Sequence, residues 1–191
     1  MRNLILAVLA ATALSACTSE PAEPEAAAPA YLAADYSAAI ADIARPEADR
    51  ARDAERKPGE LLAFAEIDRG EAVGDYIMGG GYVTRLLAIA VGNNGKVYAF
   101  QPDEFIAFRP DYAKEQDEAV APYANEDGSP GHVVPLRGPV AAPPFPEPLD
   151  TIITVMNLHD LFIPQMPEGT SEKAIASLYD ALKPGGTLVV V

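Results

Sequence analysis

A glycine turn between a strand and a helix limits what this chain can fold into more than any other feature. Residues 72–78 are almost all apolar and predict a buried strand. Gly79-Gly80-Gly81 follows, and apolar positions then recur at helical spacing from Tyr82 to Val91. A second strand is predicted at Lys96–Phe100. Such a strand–turn–helix–strand unit is typical of a parallel sheet with a right-handed crossover.

The elements on either side continue the alternation of helices and strands. Three short helices are predicted before the unit, within residues 31–43, from Pro46, and at 60–66. The elements predicted after it are a helix at 103–121 broken by Pro110, strands at 132–136, 150–156 and 187–191, and a helix at 171–182. We expect Thr170 to cap this last helix, with a core face of Ala174, Ile175, Leu178, Tyr179 and Leu182. The alternation predicts an α/β fold with a doubly wound, mostly parallel sheet and N-terminal helices.

The first 30 residues are predicted to lie outside that domain, which we assign to residues 31–191. A positive start, a short apolar run and Leu14-Ser15-Ala16-Cys17 are typical of a signal peptide at 1–16. The sequence around Cys17 resembles the lipobox of bacterial lipoproteins, which implies acylation of this cysteine. Cleavage of an ordinary signal peptide near Ala16 is the alternative. Residues 17–30, rich in Ala, Pro and Glu, are predicted to be a disordered tether.

The lipobox resemblance implies export and a membrane anchor at Cys17, on the periplasmic side of the envelope. Thr18, where an aspartate would imply inner-membrane retention, favours the outer membrane. The formal net charge of −14, without a basic stripe, argues against a nucleic-acid partner. With one cysteine and two histidines, no metal site is expected.

Three ligand-binding patterns compete for the glycine turn. The dinucleotide pattern G-x-G-x-x-G fails because Thr84 stands at its third glycine, and no phosphate-binding G-K-[ST] follows. The methyltransferase pattern requires an acid four residues before the first glycine, and Asp75 meets it. A glycine turn at the carboxyl end of a strand is where open α/β sheets bind ligands.

Further segments extend this pattern in the same order along the chain. They are the Arg- and Asp-rich stretch 45–53, Lys57-Pro58-Gly59-Glu60, Gly95-Lys96-Val97-Tyr98-Ala99, the segment 150–160 with Asn157 and His159, and Leu182-Lys183-Pro184-Gly185-Gly186. Together they resemble class I S-adenosylmethionine-dependent methyltransferases, in particular a family of predicted methyltransferases with export signals. The resemblance covers most of the chain after residue 30 and implies a Rossmann-like fold.

The resemblance also implies a cofactor, S-adenosylmethionine, and a set of site residues. Gly79, Gly80 and Gly81 would pass under its methionine part, and Asp75 would balance its positive charge. Gln101 occupies the position that normally presents an acid to the ribose hydroxyls, and it cannot supply a charge-assisted bond.

The predicted catalytic residues follow the fourth strand. Asn157 and His159 would lie near the transferred methyl group, where His159 would orient or deprotonate the acceptor and Asp160 would fix its tautomer. The alternative for His159 is a purely structural role. The acceptor is not identified by any segment of the sequence.

The class I fold normally continues beyond its fifth strand, whereas this sequence ends at Val191, so we expect a C-terminally truncated form of the fold. The predicted function is methyl transfer to an unknown small acceptor by an exported lipoprotein. The alternatives are a periplasmic small-molecule-binding protein and a non-catalytic envelope lipoprotein on the same scaffold.

Replacing Cys17 with serine tests the lipid anchor. We expect Cys17→Ser to abolish labelling by a fatty-acid probe in bacterial cells, because a serine side chain lacks the thiol that is acylated. The measurement is in-gel detection of the probe on wild type and mutant. Equal labelling of the two proteins would contradict acylation at Cys17.

Overall fold

Five strands form one sheet in which every neighbouring pair runs parallel, in the spatial order β3-β2-β1-β4-β5. The structure is a computed structural model that describes residues 31–191; the predicted signal peptide, Cys17 and the tether lie outside the described residues. The strands are β1 (Ala72–Tyr76), β2 (Lys96–Pro102), β3 (Val133–Gly138), β4 (Leu149–Thr154) and β5 (Leu182–Val190). The predicted doubly wound, parallel α/β fold is confirmed.

Eight α-helices surround this sheet in the described part of the chain. They are α1 (Ser37–Ala41), α2 (Glu47–Arg50), α3 (Asp53–Arg56), α4 (Pro58–Phe64), α5 (Tyr82–Val91), α6 (Asp103–Phe108), α7 (Asp111–Val120) and α8 (Thr170–Asp180). Short 3₁₀ helices add Ala33–Tyr36, Ala121–Tyr123 and Leu158–Phe162. The predicted break at Pro110 is present, because α6 ends two residues before this proline and α7 begins after it.

The two faces of the sheet carry separate apolar cores. One core joins α5 and the N-terminal helices to the sheet, with Leu62, Leu86 and Val73 fully buried. The other lies under α6, α8 and the proline-rich segment 139–148, and includes Phe100 and Leu178. Strand side chains alternate between the faces, so each strand contributes to both cores. This leaves the carboxyl ends of β1 and β4 as a shared edge between the two helix layers.

The structure corrects the prediction for the start and the core face of α8. Gly169, with φ 77°, precedes the helix, and Thr170 does not cap it because its hydroxyl donates to the carbonyl of Pro167 at 2.7 Å. The helix is shorter than predicted and contributes Ala174 and Leu178 to the apolar core, while the predicted core residue Leu182 begins β5 instead. Tyr179 is 77% exposed and Ile175 is 42% exposed, since each lies about 100° around the helix from a buried neighbour.

Two other predicted boundaries differ. The first helical segment ends at Ala41, so Ile43 is almost wholly exposed rather than part of an apolar stripe. The predicted turn before the last strand lies within β5, where residues 183–186 form an irregularity opposite Asp150. Lys183 holds it there by donating to both carboxylate oxygens of Asp150 at 2.8 Å. In the region from residue 31 onward, no helix is long and apolar enough to cross a bilayer.

Adjacent residues of α8 provide a matched test of its packing. Leu178→Ala should lower the free energy of unfolding by about 2–5 kcal/mol, because it opens a cavity in a fully buried position. Tyr179→Ala should change it by less than about 0.5 kcal/mol, since that side chain is mostly exposed. Urea unfolding of both variants measures the difference, and similar losses would contradict this orientation of the helix.

Candidate functional site at the carboxyl ends of β1 and β4

The glycine turn adopts a backbone that requires glycine at two of its three positions. Gly79 and Gly81 have φ angles of 55° and 80°, in the left-handed region. A Cβ on Gly81 would lie 2.5 Å from the Cβ of Ala119, so this glycine also permits close packing of α7. A Cβ on Gly79 would meet no described atom within 4 Å, so the turn borders open space at this residue.

That space is a cavity of about 280 Å³ along the carboxyl ends of β1 and β4. Its lining comes from the N-terminal helices, the glycine turn and the loop after β4: Arg52, Arg56, Asp75, Ile77, Met78, Gly79, Gly80, Tyr82, Val83, Val155, Met156 and Asn157. Polar and apolar groups share the lining. A cavity at this edge of a parallel sheet is the usual ligand site of an open α/β fold.

Asp75 is the only carboxylate among the cavity's lining residues in the described chain. It is 3% exposed and accepts a hydrogen bond from the Thr84 hydroxyl at 2.5 Å. Burial raises the pKa of Asp75 to about 6, although hydrogen bonds from Thr84 and the charge of Arg85 act in the opposite direction. A cation placed in the cavity would stabilise the ionised form of this carboxylate.

Two ion pairs hold the N-terminal helices over the glycine turn. Arg45, fully buried, donates to both oxygens of Asp53 at 2.6 and 2.9 Å and holds the pKa of that carboxyl below its usual value. Asp53 also accepts the hydroxyl of Tyr82 at 2.7 Å. Arg85 binds Asp49 at 2.7 Å and the carbonyl of Gly80 at 2.9 Å. The α2–α3 segment is therefore tied to both ends of the turn.

Arg52 and Arg56 differ from those paired arginines. Their guanidinium carbons lie 5.4 and 5.1 Å from the centroid of the Tyr82 ring. Neither makes an ion pair with any described residue, and both line the cavity. These cation–π contacts, which Arg45 also makes at 5.3 Å, keep the two cations near the cavity wall and leave their donors available for an anion.

Asp75, Gly79, Gly80 and Asn157 are the predicted site residues that the structure brings into the cavity lining. Asn157 donates to the carbonyl of Ile77 at 2.7 Å, so it links the ends of β4 and β1. Gly81 begins α5 behind the turn. Gly81 itself is not among the residues that line the cavity.

Gln101 and the predicted catalytic histidine lie elsewhere. Gln101 is fully buried beneath the turn, where its carbonyl oxygen accepts the N–H of Gly79 at 3.0 Å and its Nε2 has no described partner. His159 and Asp160 contact each other at 3.3 Å in the 3₁₀ helix after β4, and the His159 side chain is 73% exposed. Among residues 31–191, the cavity lining includes none of these three.

Sequence reasoning missed the two unpaired arginines and two strained residues. Ile77 and Met156 have φ angles of 63° and 60°, and both line the cavity at the end of a strand. Such strain in non-glycine residues concentrates at functional sites. The arginines did leave a signal, since four of the nine arginines of this acidic chain fall between residues 45 and 56.

Comparisons with known proteins support this geometry at the level of the fold. A SAM-dependent methyltransferase from Aquifex aeolicus superposes with a TM-score of 0.54 at 24% identity, over 75% of this chain and 68% of that one. The chain has a Rossmann-like methyltransferase fold. A chain from the complex with the Haloferax volcanii Trm112 methyltransferase activator gives a TM-score of 0.52 at 18% identity. That match covers 82% of this chain but only 59% of the Haloferax chain.

Comparisons at the level of sequence do not assign the chain to a family. No protein-family model matches the chain, and no curated protein matches it. In open α/β sheets ligands bind at the carboxyl ends of the strands, and the glycine turn after β1 and the cavity beside it lie at that edge.

The raised pKa of Asp75 predicts a pH-dependent stability. An unfolded aspartate titrates near 3.9, so ionising Asp75 in the folded protein costs free energy as the pH rises from about 4 through 6. Asp75→Asn removes this cost. The variant should therefore gain up to about 3 kcal/mol relative to wild type between pH 4 and pH 7. Denaturant titrations at a series of pH values measure the change, with the exposed Asp111→Asn as control; parallel profiles would contradict it.

Proposed function

We propose that the chain is an S-adenosylmethionine-dependent methyltransferase acting on a small acceptor. The observation that carries this proposal is the buried carboxylate of Asp75, whose pKa is raised to about 6, beside an open glycine turn. The same cavity has two arginines, Arg52 and Arg56, that form no ion pair with residues 31–191. The Aquifex protein, which shares the fold, is a SAM-dependent methyltransferase, and this similarity supports the same cofactor.

The residues of the cavity fit the zwitterionic methionine end of that cofactor. Asp75 would neutralise its ammonium group, and Arg52 would pair with its carboxylate. Gly79 would let the ligand approach the backbone closely. When bound, the cofactor supplies a methyl group activated by a positively charged sulfur. The protein contributes binding, charge compensation and exclusion of water from the cavity.

Gln101 fits its expected role, hydrogen bonding to the ribose hydroxyls of the cofactor, less well than the other residues fit theirs. Its carbonyl oxygen is bonded to Gly79, so only the unpartnered Nε2 remains to donate to a hydroxyl. This favours a second candidate function, a small-molecule-binding protein that uses the methyltransferase cavity without turnover. Binding of S-adenosylmethionine without formation of S-adenosylhomocysteine from any tested acceptor would support this second candidate.

We also propose that the protein is exported as an outer-membrane lipoprotein, anchored through acylated Cys17 on the periplasmic side. The sequence of the first 30 residues supports this part of the proposal. His159 and Asp160 stay predicted acceptor-orienting residues. Because the His159 side chain is 73% exposed, such a role would require it to meet the acceptor from outside the cavity. The cofactor site itself does not depend on them.

Calorimetric titration with S-adenosylmethionine tests the cofactor site on the full-length Cys17→Ser chain, which cannot be acylated at that position. We expect micromolar binding at neutral pH. As the pH increases toward 6, the affinity should increase by up to about tenfold per pH unit, because Asp75 must be ionised to pair with the ammonium. Above pH 6 the affinity should be constant. Asp75→Asn should bind at least about tenfold more weakly at pH 7 and lose this pH dependence.

Two further variants separate the contacts. Arg52→Met should weaken binding by about tenfold or more, whereas Lys114→Met, which removes an exposed charge on α7, should leave it unchanged. Absence of binding by the folded wild type would refute the proposed function. Equal affinities of wild type and Asp75→Asn would refute the assigned role of the carboxylate.

A further inference from the structure

A second, larger cavity adjoins the proposed cofactor cavity. It has a volume of about 480 Å³, in the range of sites for small organic ligands. Most of its wall is apolar and comes from α4, the start of α5, the loop after β4 and the end of β5: Leu61, Phe64, Tyr82, Val155, Met156, Val190 and Val191. Four charged residues, Glu55, Arg56, Lys57 and Glu60, complete the lining.

The two cavities share a boundary formed by Arg56, Tyr82, Val155 and Met156, which line both. A molecule in the larger cavity would therefore lie next to a ligand at the glycine turn. Met156 has the strained φ of 60°, so the backbone is held in an unfavourable conformation where the cavities meet. This adjacency is what a transfer reaction between two ligands requires.

The charges at the boundary favour one kind of ligand group. Lys57 pairs with Glu60 at 3.2 Å. Glu55 is exposed and lines the larger cavity but not the proposed cofactor cavity. Arg56 is half-buried, makes no ion pair with the described residues and lines both cavities. An unpaired cation at the boundary favours a negatively charged atom of the ligand there and disfavours an amine.

We propose that the larger cavity binds a small aromatic acceptor through its ring and presents a phenolic oxygen to Arg56. The inference rests on the proposed methyltransferase function. The apolar wall accommodates the ring, and a neutral phenol enters without the cost of burying a charge. A guanidinium does not accept protons at physiological pH, so Arg56 acts by stabilising the phenolate and lowering the pKa of the bound phenol.

The transfer step then needs no protein base. The phenol releases its proton to solvent, and an electron pair of the phenolate oxygen forms the bond to the methyl carbon of S-adenosylmethionine. The sulfur–methyl bond breaks with its electrons remaining on sulfur, which converts the sulfonium to the neutral thioether of S-adenosylhomocysteine. The product is the methyl ether of the acceptor.

The acceptor site is tested without the cofactor, using 4-nitrophenol, whose ionised form absorbs visible light. The full-length Cys17→Ser chain should bind it saturably and lower its pKa by at least about one unit. Arg56→Met should abolish this shift, Arg56→Lys should retain most of it, and the surface control Lys114→Met should not alter it. Phe64→Ala should weaken binding several-fold with little loss of stability, because that side chain is 72% exposed.

The outcomes separate this inference from the proposed function. No saturable binding, or an equal pKa shift in wild type and Arg56→Met, would overturn the acceptor site even if S-adenosylmethionine binds. A shift that depends on Arg56 would support the site even if calorimetry shows no cofactor binding and so refutes the proposed function. Stronger displacement of nitrophenol by a tyrosine-containing peptide than by free phenols would overturn the assignment of a small acceptor.

Discussion

The buried ion pairs between the N-terminal helices and the glycine turn are the interaction on which the candidate site depends. Asp49 bonds to Arg85, which also holds the carbonyl of Gly80, and Asp53 joins Arg45 to the hydroxyl of Tyr82. Buried pairs contribute little net stability because both ions lose hydration, but their directional hydrogen bonds fix geometry. The ion pairs matter most for α2 and α3, which have four residues each and bury no apolar side chain, whereas α1 and α4 also pack through Ala39 and Leu62.

This arrangement explains how the sequence could predict the sheet and the turn. Local patterns determine them: the apolar runs of β1 and β4 predict buried strands, and the left-handed φ angles of Gly79 and Gly81 require glycine. The sequence also predicts that Asp75 lies in the site, because this residue stands four positions before Gly79 at the end of the same strand. Four of the predicted site residues therefore line the cavity.

What the sequence could not predict depends on contacts between distant segments. The sequence predicts that Gln101 faces the ligand. In the structure its side-chain oxygen instead accepts a hydrogen bond from the backbone N–H of Gly79, in the turn after β1. The arginines of α2 and α3 alternate with acids, and only the folded chain shows which are neutralised and which are not. The prediction for the core face of α8 was wrong because Ile175 and Tyr179 extend the apolar stripe in the sequence, whereas the helix is turned so that both side chains are exposed.

The distribution of charge around the cavity has one further consequence. A buried carboxylate and two guanidinium groups beside the Tyr82 ring line the cavity, in a protein whose net charge is −14. The negative net charge disfavours anions near the protein, and salt screens the arginines beyond about a Debye length, roughly 8 Å at physiological ionic strength. This charge distribution fits the proposed ligands: a zwitterionic group at the glycine turn, and in the larger cavity a neutral phenol that ionises next to Arg56. Both properties suit a site where a cationic cofactor and a weakly acidic acceptor must meet without water between them.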